Sequence, residues 1–285
     1  MTVATIAKEI QLTPEEAIPI SLPVCVVAFC LLFISVAIFR KMLRRVEFRG
    51  GLVRSDLFGF PDFVVVGIFL VLMVMALAMQ WIVPSSSAGS AGLQVVSAVL
   101  FLSLPVILAL LVVRGINLPV VFGFKRVGLV RALGIAAGLI VLLLPVIMVV
   151  TAVAYQFLGE HAEQQEMVKT FREAAKAGKR EIVWQVIITA ALLAPITEEF
   201  LFRGYFYPVL KRFAGPVPAA FGISLLFGAI HNNAAGFPVL TVLALGLTLA
   251  YEWSGSILVP MFMHACFNST MLALMWWQTF HGAGR

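Results

Sequence analysis

Ala132 to Leu158 reads ALGIAAGLIVLLLPVIMVVTAVAYQFL, a run of 27 residues with no acidic or basic side chain. A helix needs about 20 apolar residues to cross a hydrocarbon core, and a soluble core helix is seldom charge-free for so long. The run is therefore read as a membrane-spanning helix. Its Gly134 and Gly138 form a GxxxG, a small-residue surface of the kind on which membrane helices pack.

The same pattern recurs on both sides. Before it, charge-free runs cover about 18 to 39, 63 to 83 and 93 to 113; after it, apolar runs cover about 183 to 210, 217 to 236, 237 to 252 and 256 to 280. The expected fold is all-α, a polytopic transmembrane helical bundle of about eight spans, with seven as the alternative because the run at 237 to 252 is short. Across the 285 residues, 61% are hydrophobic and 12% charged, against about 25% charged in soluble globular domains. Three regions follow: a four-helix membrane region at 1–158, a polar connecting segment at 159–182 and a second membrane region at 183–285. The polar segment has Met167, Phe171, Ala174 and Ala175 at helical spacing, so it is expected to lie on the membrane surface or cap a cavity.

The net charge of +6 does not indicate a nucleic-acid partner, because the basic residues lie in short loops between apolar runs. Arg40 to Arg54, Arg114 to Arg131 and Lys211 with Arg212 are the three clusters, and the positive-inside rule places all three on the cytoplasmic side. With eight spans, both termini then lie on the other side. Cys25, Cys30 and Cys266 all fall in apolar runs with no CxxC spacing, which indicates packing rather than a disulfide or zinc framework. The first apolar run lacks a clear small-residue cleavage site and is read as a retained span.

Ionisable side chains within spans cost roughly 2.5–3.5 kcal/mol each on insertion scales, so they are paired or functional. The first four runs have none. The later ones contain Glu198, Glu199, Arg203, His231 and His264, with Asn268 one turn beyond His264. Glu199 and Arg203 stand at i,i+4 in the order that favours an ion pair. Glu198 points about 100° away from Glu199 around the helix, so it must find another group, protonate or meet water. Pro195 removes a backbone donor just before them and is expected to open the helix. Measured along ideal helices, Glu198 and His231 lie roughly 20 Å and 21 Å from the basic end, whereas His264 comes out shallower, at about 12 Å from Ser256. Glu252, Trp253 and His281, at span ends, are read as interface anchors.

Taken in order, EExxxR (Glu198, Glu199, Arg203), FxxxH (Phe227, His231) and HxxxN (His264, Asn268) resemble the motif set of the CPBP family, which comprises CAAX-prenyl endopeptidases of the Ras-converting type and the bacterial Abi proteins. The resemblance covers about residues 183 to 275. It implies an intramembrane endopeptidase in which Glu198 acts with His231 to activate water, His264 and Asn268 stabilise the oxyanion, and Glu199 and Arg203 brace the helix. It also implies no metal and no cofactor, and a peptide or lipidated-protein substrate drawn from among membrane lipids.

Residue types alone leave a zinc site open, since carboxylate and imidazole are ordinary zinc ligands. There is no HExxH, no GxSG and no aspartate within a span to support another intramembrane protease plan. A non-catalytic membrane partner or immunity-like protein and an ion-coupled transporter are the competing functions, the latter without a detectable repeat. The short chain with brief loops fits the cell membrane of a bacterium, its inner membrane.

Overall fold

The computed structural model describes residues 22–82, 102–158 and 166–281, and among them every regular element is helical. The helices are α1 (Leu22–Arg49), α2 (Phe60–Ile82), α3 (Leu102–Val113), the single turn α4 (Leu118–Val121), α5 (Leu129–Leu158), α6 (Glu166–Lys176), the long broken helix α7 (Arg180–Ala214), α8 (Pro216–Ile230), α9 (Gly236–Ser254) and α10 (Leu258–His281).

Polarity runs inside out relative to a soluble protein. Large apolar side chains such as Phe29, Phe33, Val141, Met148 and Phe157 face outward, while Glu199, Arg203, Thr248, Glu252 and His264 are buried. That inversion is what a hydrocarbon solvent imposes, because an outward-facing charge would be unsatisfied there.

Among the described residues four helices are long and apolar enough to cross a membrane: Leu129–Phe157, Arg180–Ala214, Gly236–Ser254 and Leu258–His281. The run at 237 to 252 is thus long enough to span. Leu102–Val113, Pro216–Ile230 and the Phe60–Met75 part of α2 are apolar stretches that are shorter. The run expected at 217 to 236 stops at Ile230 because the chain turns at His231 and Asn232, the latter with a positive φ of 46°. Residues 18–21, 83, 93–101 and 159–165 of the expected spans and polar segment lie outside the described residues.

Two apolar clusters hold the bundle together. One joins α2, α3, α7 and α8 through Phe69, Leu111, Phe202, Phe206 and Phe227. The other joins α1, α5, α9 and α10 through Met42, Leu139, Leu143, Leu247 and Phe267. Each fully buried large apolar side chain contributes roughly 1.5–3 kcal/mol against water, but in lipid the gain is close packing rather than water exclusion.

The three basic clusters converge on one end of the bundle. The Leu52 N–H donates to the Glu252 carbonyl (3.0 Å), the Ile257 N–H donates to the Phe122 carbonyl (2.9 Å), and the Lys211 Nζ donates to the Gly50 and Val53 carbonyls (2.7 and 2.8 Å). The segment from Arg40 to Arg49 belongs to α1 rather than to a loop.

At this end Glu252 is 1% exposed, which corrects its reading as an interface anchor. Its Oε1 accepts from the Tyr207 hydroxyl and the Lys211 Nζ, both at 2.6 Å, and its Oε2 accepts from the Val53 N–H at 3.1 Å. Gly51, at φ +67°, lies against the Glu252 side chain where a Cβ would collide with the carboxylate. Only glycine suits both that close approach and that backbone conformation. A second buried acid, Asp62 near the start of α2, accepts from Arg114 (2.5 Å), Tyr205 (3.1 Å) and the Gly59 N–H (2.8 Å). Tyr205 thus ties α7 directly to the amino-terminal half, while Tyr207 ties it to Glu252 of α9, which in turn holds the Leu52–Val53 segment.

Helix α6 is amphipathic, as its spacing predicts. Phe171, Ala174 and Ala175 are buried against Val183, Val186, Ala190 and Leu272 of α7 and α10, while Met167 is exposed. It packs on protein at the end of the bundle opposite the basic loops.

Candidate active site

The site is built on the irregular part of α7. Two π-turns, Thr189–Leu193 and Phe202–Phe206, flank the regular α-helical stretch Ala194–Leu201 that carries both glutamates. Such π-turns widen a helix and are frequent at functional sites. Each is followed by a proline after one residue, Pro195 after Ala194 and Pro208 after Tyr207. The Ala194 N–H donates five residues back to Thr189, so the next bond in that register would run from residue 195 to Ala190. Pro195 has no N–H to give. The Ala190 carbonyl instead accepts from the Asn268 Nδ2 at 2.7 Å.

Glu199 and Arg203 pair as their spacing predicts, with Nη1 donating to Oε1 at 2.9 Å and both side chains wholly buried. The guanidinium spends its other donors on the Ala244 carbonyl (2.9 Å) and the Thr248 hydroxyl (3.4 Å) of α9, and its carbon lies 4.8 Å from the centre of the Phe227 ring. A buried ion pair repays its desolvation only with such additional bonds. Ala244 and Thr248 were not signalled by the sequence; a threonine one turn after a small residue in an apolar helix is the only mark they leave.

His264 stands between the two glutamates. Its Nδ1 donates to Glu199 Oε1 at 3.0 Å, and its Nε2 lies 3.9 Å from Glu198 Oε2. The shallow depth expected for His264 is resolved by Ser256 and Ile257, both fully buried beneath the Phe122 loop, so that α10 begins below the end of the bundle. Glu198 is the more open of the two acids, its side chain 16% exposed, yet its Oε2 is buried with no hydrogen-bond partner.

His231 closes α8. Its Nδ1 donates to the Phe227 carbonyl at 2.7 Å, which leaves Nε2 of the neutral ring as the lone-pair nitrogen. The Phe227 ring separates it from His264, with centroids 4.9 Å from His231 and 5.7 Å from His264. All six predicted residues therefore lie on or against the Ala190–Arg203 stretch of α7 or the Phe227 ring. Glu199, Arg203 and His264 bond to one another, and Glu198 faces His264. Asn268 is bonded to the backbone of α7, and His231 is held against Phe227.

The two ring nitrogens of His264 address different carboxylates, so these three side chains do not converge on one point. Among the described residues no group of three His, Cys, Asp or Glu side chains is arranged to hold a metal ion.

Residues 180–270 match the Rce1-like family, type II CAAX prenyl endopeptidases. The Rce1-like region begins at the first residue of α7 and ends two residues beyond Asn268, so it takes in every candidate site residue. It agrees with the CAAX-protease resemblance of the three motifs, and it is a protease family lodged in a chain with membrane-spanning helices. No curated protein and no solved structure matches the chain.

Proposed function

We propose that this protein is an intramembrane endopeptidase of the CAAX-protease type, hydrolysing a peptide bond in a membrane-associated or lipidated protein. The observation that carries this reading is Glu198: a carboxylate oxygen within the bundle, without a protein partner, facing an imidazole nitrogen at 3.9 Å. That separation is longer than a hydrogen bond, so His264 leaves the carboxylate uncommitted.

In this mechanism Glu198 withdraws a proton from the water, which attacks the scissile carbonyl carbon, and returns the proton to the leaving amine. His231 assists through Nε2, the nitrogen that its bond to Phe227 leaves able to accept. His264 and the second amide hydrogen of Asn268 donate to the oxyanion, the histidine through Nε2 as an imidazolium, because its Nδ1–H is already given to Glu199. Glu199 and Arg203 hold His264 and the helix in register. The catalytic region is 183–285, with the amino-terminal half as its brace through Asp62–Tyr205 and the bonds of the Gly50–Val53 segment to Lys211 and Glu252. The protein acts as a multi-pass protein of the cell membrane, a bacterial inner membrane.

The test is product mapping by mass spectrometry. Purified protein is given a prenylated CAAX peptide, the same peptide without its prenyl group, and a set of membrane-anchored peptides. Cleavage three residues from the carboxy terminus of the prenylated peptide alone assigns the CAAX substrate. Cleavage of another anchored peptide keeps the endopeptidase reading and moves the substrate, while folded protein inert towards all of them favours a non-catalytic membrane role.

A further inference from the structure

At the basic end, a cavity of about 660 Å³ opens between α1, α5 and α9, lined by Ile38, Lys41, Met42, Arg44, Arg45, Leu139 and Trp253. The volume lies within the ~300–1,000 Å³ range of small-ligand sites. Residues 38, 41, 42 and 45 stand at i, i+3, i+4 and i+7, so one face of α1 carries both its apolar floor and its cations.

Three other cations at this end are neutralised by the protein. Arg54 pairs with Asp56, Arg114 with Asp62 and Lys211 with Glu252. Lys41, Arg44 and Arg45 make no ion pair among the described residues, although all three border one concavity. The positive-inside rule explains their sign but not their convergence on a cavity that also has a tryptophan from a helix two hundred residues away. Trp253 adjoins Glu252, whose bond to Lys211 marks the polar end of the bundle, so the cavity lies at headgroup level.

We propose that this cavity binds the headgroup of an anionic phospholipid. Lys41, Arg44 and Arg45 take the phosphate, and the upper acyl chain lies on Ile38, Met42 and Leu139 beside Trp253. Met42 and Leu139 are buried and supply the apolar floor; the exposed cations supply the rim. The charge, the apolar floor and the headgroup level together fit a lipid rather than a soluble anion, which would need no such floor. The site is separate from the peptidase residues and does not rest on that assignment.

Native mass spectrometry of the full chain in detergent tests it, with phosphatidylglycerol and phosphatidylcholine of identical acyl chains. Phosphatidylglycerol is expected to be retained preferentially, with affinity falling about fivefold for each cation removed. K41Q/R44Q/R45Q loses the preference. R40Q/K125Q/R131Q, which removes equal charge outside the cavity, keeps it, and Trp253→Ala weakens retention without changing charge. Equal retention of the two lipids, equal losses in both triple variants, or thermal stabilisation by inorganic phosphate matching that by phosphatidylglycerol would overturn the proposal. If the cavity triple variant does not fold, Arg44→Gln and Trp253→Ala decide it, and an unchanged preference in the first with unchanged retention in the second overturns it.

Discussion

The Asn268 carboxamide donates to the Ala190 carbonyl at 2.7 Å, occupying the place of the backbone N–H that Pro195 lacks. Across 78 residues of sequence, an α10 side chain completes the hydrogen-bonding of a π-turn in α7. Asn268 therefore positions the helix that carries Glu198, whatever else its second amide hydrogen does.

Asn268→Ala should lower the thermal stability of the purified protein, since a buried carbonyl left unpaired costs about 1–3 kcal/mol. Pro195→Ala restores an N–H at residue 195, so Asn268→Ala should cost less stability in that background than alone. A double-mutant cycle by thermal denaturation reads the coupling. Additive losses would mean that the two residues do not share the Ala190 carbonyl.

Arg203→Ala leaves Glu199 buried without its cation and should destabilise the protein by about 3–5 kcal/mol. Arg203→Lys should not rescue it, because an ammonium cannot reach Glu199, Ala244 and Thr248 with one planar fork. Glu199→Gln with Arg203→Met should recover much of the stability yet remain inactive, since His264 then loses the carboxylate that orients it. Melting temperature and peptide cleavage, measured on the same preparations, separate the two effects.

Lys211→Met removes the cation shared by Glu252 and the Gly50 and Val53 carbonyls, so the Gly50–Arg54 segment should detach from the bundle. Limited trypsin digestion should then cut after Arg54 several times faster than in the wild type. An unchanged digestion rate would show that the remaining bonds, Leu52 N–H and Val53 N–H to Glu252, hold the segment alone.

The membrane class, the Glu199–Arg203 pair and the shared end of the basic loops were legible in the sequence because charge-free length and local i,i+4 spacing encode them. Glu199–Arg203 is the clearest case. The span count was less legible. Whether an apolar run ends at Ile230 depends on one left-handed residue, Asn232, that hydropathy does not register. Pro195 hinted at an opened helix, but the π-turns on both sides of the glutamates leave no periodic trace. Glu252 read as an anchor because its partners, Tyr207, Lys211 and Val53, lie 41 to 199 residues away. The depth of His264 was misjudged because Ser256, a polar residue at a span boundary, is buried under a loop rather than placed at the interface.

The most direct test of the account is the cleavage rate of Glu198→Gln against wild type, with excess chelator, on the membrane peptide that wild type cuts. Glu198 Oε2 has no protein partner to lose, so the variant should melt as wild type does. Its cleavage should fall by roughly 10²–10⁴-fold, the usual share of a general base, while wild type keeps its rate in chelator. Cleavage by Glu198→Gln at the wild-type rate, or wild-type activity abolished by chelator alone, would contradict it.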